Sequence, residues 1–131
     1  MQAGFAALGD GPLPRRAIHV LTAFSGTGGR DAVECVTRAL TDGRYRVDRT
    51  LGGKDVISDP PGPYLWRFTL AGRSVEVTIR PGHVLPEFVA LGAMQTRSPA
   101  QDARLEFLKR EMAGRLLPLA ATEIYQVRPI R

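Results

Sequence analysis

The chain has 131 residues, of which 44% are apolar, 24% charged and 7% aromatic, and its formal net charge is +5. This length predicts one domain, since ~100–150 residues is the commonest domain size. The apolar fraction is too high for a disordered chain, and no apolar run approaches the ~20 residues that span a bilayer. We therefore expect a folded protein with no membrane partner.

Arginine supplies 16 of the 18 basic residues, and the charge is unevenly placed along the chain. The first 65 residues carry 8 basic and 7 acidic side chains, whereas the remaining 66 carry 10 and 6. A basic excess favours an anionic partner such as nucleic acid or a phosphorylated ligand. The same excess is typical of proteins from GC-rich genomes, so composition alone does not locate a binding site.

The single cysteine, Cys35, excludes an internal disulfide framework and fits a reducing compartment. The first residues lack a basic segment followed by a long apolar one, which argues against a secretory signal. We therefore expect a cytoplasmic protein. Residues 1–16 contain three glycines and two prolines among few large apolar side chains. This predicts a flexible N-terminal lead-in, ahead of a single domain over residues 17–131.

The first predicted elements are a strand, a helix and a second strand. Ala17–Phe24 is almost continuously apolar, which predicts a strand buried on both faces. Asp31–Leu40 has helical apolar spacing, and Asp31 followed by Glu34 predicts a capping box at its start. Arg44–Leu51 alternates between apolar and polar residues, which predicts a half-exposed strand.

The clearest local pattern is a β-hairpin. Tyr64–Leu70 and Arg73–Arg80 are separated by two residues, and the second of these is a glycine. A two-residue loop fixes the register, so the numbers of opposed residues must add up to 143. Trp66 and Phe68 then share one face with β-branched partners. That face is either the protein core or an exposed platform for bases or a second subunit.

The remaining elements complete an α+β pattern. Pro86 is a candidate start for a short helix, although residues 81–97 are ambiguous. Ser98 and Pro99, followed by Gln101, predict a capped helix that ends at Pro118. A last strand is expected over Thr122–Arg128. The predicted fold is a mostly antiparallel sheet of about five strands with two or three helices on one face. Its chain order, βαββ(β)αβ, is close to a ferredoxin-like arrangement.

A glycine-rich turn between the first strand and helix is a candidate phosphate loop, formed by Ser25, Gly26, Thr27, Gly28 and Gly29. Backbone N–H groups at such a helix start can hold an anion, with Arg30 as a charged partner. Asp31 stands where a dinucleotide motif needs its third glycine, and the lysine of a nucleotide-triphosphate loop is missing. Two alternatives stay open: an enzyme or sensor that binds a phosphate-containing ligand here, and a tight connection that needs glycine torsions.

Catalytic and metal-binding patterns are weak. His83 and Glu87 are spaced one helical turn apart, but Pro86 lies between them. The other histidine, His19, falls in a predicted strand, and Cys35 lies beside the apolar face of the first helix. We therefore predict no catalytic residues, no metal and no cofactor. This favours a non-enzymatic protein without deciding the question.

The candidate binding residues are arginines on or beside the predicted strands and turn: Arg30, Arg44, Arg46, Arg67, Arg73 and Arg80. Such charges suit the phosphates of single-stranded DNA or RNA. Our leading expectation is a binding module for an anionic partner, with nucleic acid as the main class. The alternative is a self-associating assembly or regulatory domain that forms a homo-oligomer through an open sheet face or edge.

Overall fold

A computed structural model describes residues 1–130. In chain order the helices and strands are α1 (Gln2–Leu8), a 3-10 turn (Arg15–Ala17), β1 (His19–Thr22), α2 (Thr27–Thr37), β2 (Tyr45–Val47), β3 (Leu65–Leu70), β4 (Arg73–Ile79), α3 (Pro86–Ala93), α4 (Pro99–Leu116), α5 (Ala121–Ile124) and β5 (Tyr125–Ile130).

The five strands form one mixed sheet in the order β2-β1-β3-β4-β5. β1 and β2 are parallel neighbours joined through α2, whereas the other three pairings are antiparallel. The predicted α+β class and the mostly antiparallel sheet are confirmed. The sequence did not predict that β1 and β2 would pair directly.

The β3–β4 hairpin has the predicted register. Phe68 is opposite Val75, Trp66 is opposite Val77, and Arg67 is opposite Glu76. The two turn residues both have positive φ, at 49° for Ala71 and 80° for Gly72. Such turns match the right-handed twist of the flanking strands, which is why a two-residue connection suffices here.

The structure differs from the expected lead-in over residues 2–8, which form helix α1. This helix packs against β3, β4 and β5, and its Ala3, Gly4 and Leu8 are buried. The small residues allow a close approach, because a Cβ on Gly4 would lie 2.7 Å from Cδ2 of Phe68. The segment has few large apolar side chains, but one of them, Phe5, packs edge-on against Phe68 with the ring centroids 5.3 Å apart.

One face of the sheet carries the main core. Phe68 is 1% exposed and clusters with Val20, Val75 and Val77 of the sheet and with Val33 of α2. Beside this cluster, Trp66 lies near three other aromatic rings, those of Phe24, Tyr64 and Tyr125. Of the two interpretations of the Trp66–Phe68 face, the structure supports the core, since the chain's own helices cover Phe68.

The first strand and helix differ in detail from their predictions. His19 is exposed and Leu21 half-buried, so β1 is buried on one face rather than two. Helix α2 begins at Thr27, four residues early, so Asp31 and Glu34 form no capping box. The Glu34 carboxylate instead binds the segment that follows the C-terminus of α2, where it accepts hydrogen bonds from the backbone N–H groups of Leu40 and Thr41.

Helices α3 and α4 pack against each other, and α4 starts as predicted. The Ser98 hydroxyl accepts from the N–H of Gln101, and the Gln101 side chain accepts from the N–H of Ser98. The final strand begins at Tyr125, three residues later than predicted. A single helical turn, α5, precedes it, and there the Glu123 carboxylate accepts a hydrogen bond from the N–H of Ala120.

Candidate nucleic-acid interface

The second face of the sheet carries one row of side chains that crosses all five strands. The row is defined by the strand register: Arg46 of β2 is opposite Leu21 of β1, which is opposite Arg67 of β3. Arg67 is opposite Glu76 of β4, and Glu76 is opposite Arg128 of β5. We call these five residues the arginine row. Because neighbouring strands lie ~4.8 Å apart, the row is ~19 Å long.

The fourth residue of the row, Glu76, is a buried carboxylate held by the arginines on either side of it. Glu76 is only 2% exposed, and its Oε2 accepts a hydrogen bond from Nε of Arg67 at 2.9 Å. Its Oε1 accepts from Nε of Arg128 at 2.8 Å and contacts Nη2 of the same guanidinium at 2.6 Å. One negative charge is thus shared between two positive charges, so this part of the row keeps a positive balance.

Polar side chains flank the row on both sides. On one side lie His19, Thr69 and Ser74, and on the other Thr78 and Gln126, all of them exposed or half-buried. Each side also has an apolar residue, the half-buried Ile130 opposite Ser74 and the buried Leu65 opposite Thr78. Beside the β2 end of the row is a concavity of about 410 Å³, whose lining includes Arg46, Leu21, His19 and Thr69.

One further acid lies near the β2 end of the row. The hydroxyl and N–H of Thr50 lower the pKa of Asp48, and the charges of Arg46 and Arg67 lower it further. Asp48 is therefore ionised near neutral pH and offsets part of the positive field there. Three guanidiniums face two carboxylates across this region, which leaves a moderate positive potential.

The structure brings Arg46 and Arg67 together in the row, but it places Arg44 elsewhere. The Arg44 side chain is 11% exposed, and its guanidinium donates to the carbonyl oxygens of Ile18 and Thr37. It also pairs with Asp42 at 3.0 Å. Arg44 thus ties the end of α2 to the sheet, and its hydrogen bonds serve the fold.

The remaining predicted arginines are scattered. Arg30 lies on α2 and pairs with its neighbour Asp31 at 3.1 Å. Arg80 follows β4 and donates from Nε to the carbonyl of Thr122 at 2.9 Å. Arg73 is exposed at the hairpin end, and the alternation of β4 puts it on the same side as Val75, opposite the arginine row. These three side chains do not join the row.

The glycine-rich turn has a steric explanation. A Cβ on Gly26 would lie 2.6 Å from Cζ of Phe24, and one on Gly29 would lie 2.8 Å from Cε1 of the same ring. Gly26 has an ordinary φ of −69°, so the close ring and not an unusual torsion accounts for it. Ser25 is engaged as well, since its hydroxyl donates to the carbonyl of Pro61. Thr27 and Gly28 belong to the first turn of α2, and a Cβ on Gly28 would meet open space.

Sequence reasoning missed Arg128. The last segment alternates, with Tyr125 and Val127 on one side and Gln126 and Arg128 on the other. That pattern could have assigned Arg128 to the polar face of its strand. Its pairing with Glu76 depends on β5 lying beside β4, which no local pattern indicates.

Other sites are less developed within the part of the chain that the structure describes. Residues 1–130 contain no group of three or more histidine, cysteine, aspartate or glutamate side chains that could hold a metal ion. His83 contacts the carbonyl of Glu123 at 3.1 Å, while Glu87 forms a two-point ion pair with Arg104. The two residues of the weak metal pattern thus have separate partners. Over the same range, no helix has the length and apolar character needed to cross a membrane.

Comparison with known proteins adds no assignment, because neither the models of protein families nor the curated proteins yield a match to this chain.

Proposed function

We propose that this chain is a nucleic-acid-binding module that holds the phosphates of single-stranded DNA or RNA on its arginine row. The observation that carries the proposal is the alignment of Arg46, Arg67 and Arg128 on the sheet face opposite Phe68. Guanidinium groups suit phosphate because their N–H donors form a planar fork. Helix α1 and Val33 of α2 pack on the opposite face of the sheet, against Phe68 and Val77.

The chemistry of the face favours contacts to the backbone of the nucleic acid over contacts to its bases. Single-stranded binding surfaces with base stacking use aromatic side chains among their charges. In β3 and β5 the aromatic residues, Trp66, Phe68 and Tyr125, lie on the core side of the sheet. We therefore expect binding with little sequence preference and a strong dependence on salt.

The test is fluorescence anisotropy with a labelled oligothymidine of about 20 nucleotides, a length that exceeds the ~19 Å row, repeated from low to physiological salt. For single strands the logarithm of the affinity falls with a slope of about −0.7 per neutralised phosphate. Arg46 neutralises one phosphate, and the net positive charge of Arg67, Arg128 and Glu76 neutralises a second, which predicts a slope near −1.4 on that basis. Failure of the wild-type protein to bind at low salt would contradict the proposal.

Two variants locate the surface. Arg46→Ala removes an exposed arginine of β2, and it should flatten the salt slope by about 0.7. Arg110→Ala is the matched control, because it removes the same charge from an exposed position on α4. Equal weakening by both variants would show a general charge effect and would count against the row.

Self-association is a second candidate function, favoured by the exposed sheet edge at β2. Val47 is 44% exposed there, and β2 has a sheet neighbour on one side only. An added strand would pair with the free N–H and C=O groups of such an edge. Sedimentation velocity tests this, and a strict monomer at tens of micromolar would contradict it.

A further inference from the structure

Glu76 is an unusual residue for a surface that binds anions. It is almost fully buried in a row whose arginines are exposed or half-buried, and its charge repels phosphate. Burial of a carboxylate carries a desolvation penalty that its partners must offset. If the row served only to provide positive charge, a neutral residue at this position would serve it better.

The geometry of the two ion pairs indicates a different role for Glu76. Arg67 contacts the carboxylate through Nε, and among residues 1–130 neither of its Nη groups has a protein acceptor. Arg128 uses Nε and Nη2, so its Nη1 is also without one in the same range. The Arg128 side chain is 67% exposed and that of Arg67 is 32% exposed, so both can be approached from solvent.

The carboxylate also brings the two arginines together. Arg67 and Arg128 lie two strands apart, which separates their backbones by ~9.6 Å. Both guanidiniums turn towards β4, the strand between them, to reach the two oxygens of one carboxylate. Their remaining N–H groups are therefore held close to each other without the entropy cost of ordering two long side chains at the moment of binding.

We propose that Glu76 is a positioning residue, which fixes the guanidiniums of Arg67 and Arg128 so that their free N–H groups bind the phosphate oxygens of one backbone segment. This inference rests on the proposed nucleic-acid function and names the group that organises it. Phosphate contacts Arg67 and Arg128 and does not contact Glu76. Arg67, Arg128 and Glu76 together carry one net positive charge, which the phosphate neutralises.

The variant Glu76→Gln separates positioning from simple electrostatics, because the two predict changes of opposite sign. Removal of a negative charge raises the attraction for phosphate, so a purely electrostatic row would bind more tightly. Loss of positioning frees both guanidiniums and weakens binding. We expect the affinity of E76Q for the labelled oligothymidine to fall about fivefold or more, as the loss of ~1 kcal/mol implies.

The salt slope is the readout that a merely structural role would not move. For E76Q it should flatten by about 0.7, the value of one lost phosphate contact, although the protein carries one more positive charge. Circular-dichroism melting confirms that the variant is folded at the assay temperature. Binding by E76Q that equals or exceeds that of the wild type, with the same slope, would overturn the inference.

A second variant keeps the inference testable if E76Q does not fold. Arg67→Lys retains the charge and can still pair with Glu76, but an ammonium lacks the rigid fork that holds a carboxylate and a phosphate together. Its affinity should fall, and unchanged affinity would count against positioning. Absence of salt-dependent binding by the wild-type protein would instead contradict the proposed function itself, so the two failures are distinguishable.

Discussion

Gly4 lies directly against the ring of Phe68, and this contact joins helix α1 to the centre of the sheet. A Cβ on Gly4 would lie 2.7 Å from Cδ2 of Phe68 and 3.0 Å from Cγ2 of Val77. Phe68 is almost fully buried and cannot move aside. Gly4→Ala should therefore destabilise the protein by about 1–3 kcal/mol, the usual cost of overpacking a core. Urea unfolding followed by tryptophan fluorescence measures this.

Gly114→Ala is the control for that substitution. Gly114 also lies within a helix, but a Cβ there would meet no atom within 4 Å. Alanine has the higher helix propensity, so this variant should gain about 0.5–1 kcal/mol. If both variants were equally stable, the N-terminal helix would not be docked on the sheet as described.

The β-hairpin turn offers a stabilising substitution. Ala71 has a φ of 49°, a left-handed conformation that a residue with a Cβ adopts at a cost, whereas asparagine tolerates it well. Ala71→Asn should raise the free energy of unfolding by about 0.5–1 kcal/mol. Ala71→Val should lower it, since β-branched residues strongly disfavour positive φ. A thermal melt that ranks valine above asparagine would contradict the turn geometry.

The start of helix α2 can be tested with two adjacent glycines. Gly29→Ala should be destabilising, because the new Cβ would lie 2.8 Å from the Phe24 ring, which is packed beside Trp66. Gly28→Ala meets open space and should be neutral or slightly stabilising. Thermal melts of the two variants should therefore shift in different directions. Equal losses would indicate that Gly28 has a role beyond the fold.

Glu34 should make stability depend on pH. The Thr41 hydroxyl lowers the pKa of Glu34 below its ordinary value of 4.5, with help from the N–H groups of Thr41 and Leu40 and from Arg38. Because the unfolded chain binds this proton more readily, stability is gained above pH 4.5 and lost as the pH falls through the lower native pKa. Urea midpoints measured from pH 7 to 3 should therefore fall less steeply for Glu34→Gln. Parallel curves would contradict this linkage.

Local patterns predicted the elements whose determinants lie close together in the sequence. The β3–β4 hairpin needed only its two-residue turn and the alternation of its strands, and the start of α4 needed only Ser98 and Gln101. Helix α1 was missed because its stability comes from contacts with the distant Phe68. The start of α2 was misplaced because the capping pattern at Asp31 and Glu34 also fits a carboxylate that binds the far end of the helix.

The residues of the candidate site also divide into those that a local pattern identifies and those whose role depends on distant contacts. Alternation within each strand assigned Arg46 and Arg67 to polar faces, but it also suggested Arg44, whose guanidinium binds main-chain carbonyl groups. Whether Arg44 faces solvent or binds the main chain depends on how the end of α2 packs beside β1. The pairing of Glu76 with Arg128 likewise depends on the order of strands in the sheet, a property of the whole fold.

The arginine row crosses a sheet that is not flat. Neighbouring strands in a sheet rotate by roughly 20–25° relative to one another, so the four steps from β2 to β5 accumulate roughly 80–100°. Arg46 and Arg128 at the two ends therefore point in directions nearly a quarter-turn apart. A partner that touches the whole row must curve as it crosses. A flexible single strand can follow that path, whereas a stiff double helix would meet only one end of it.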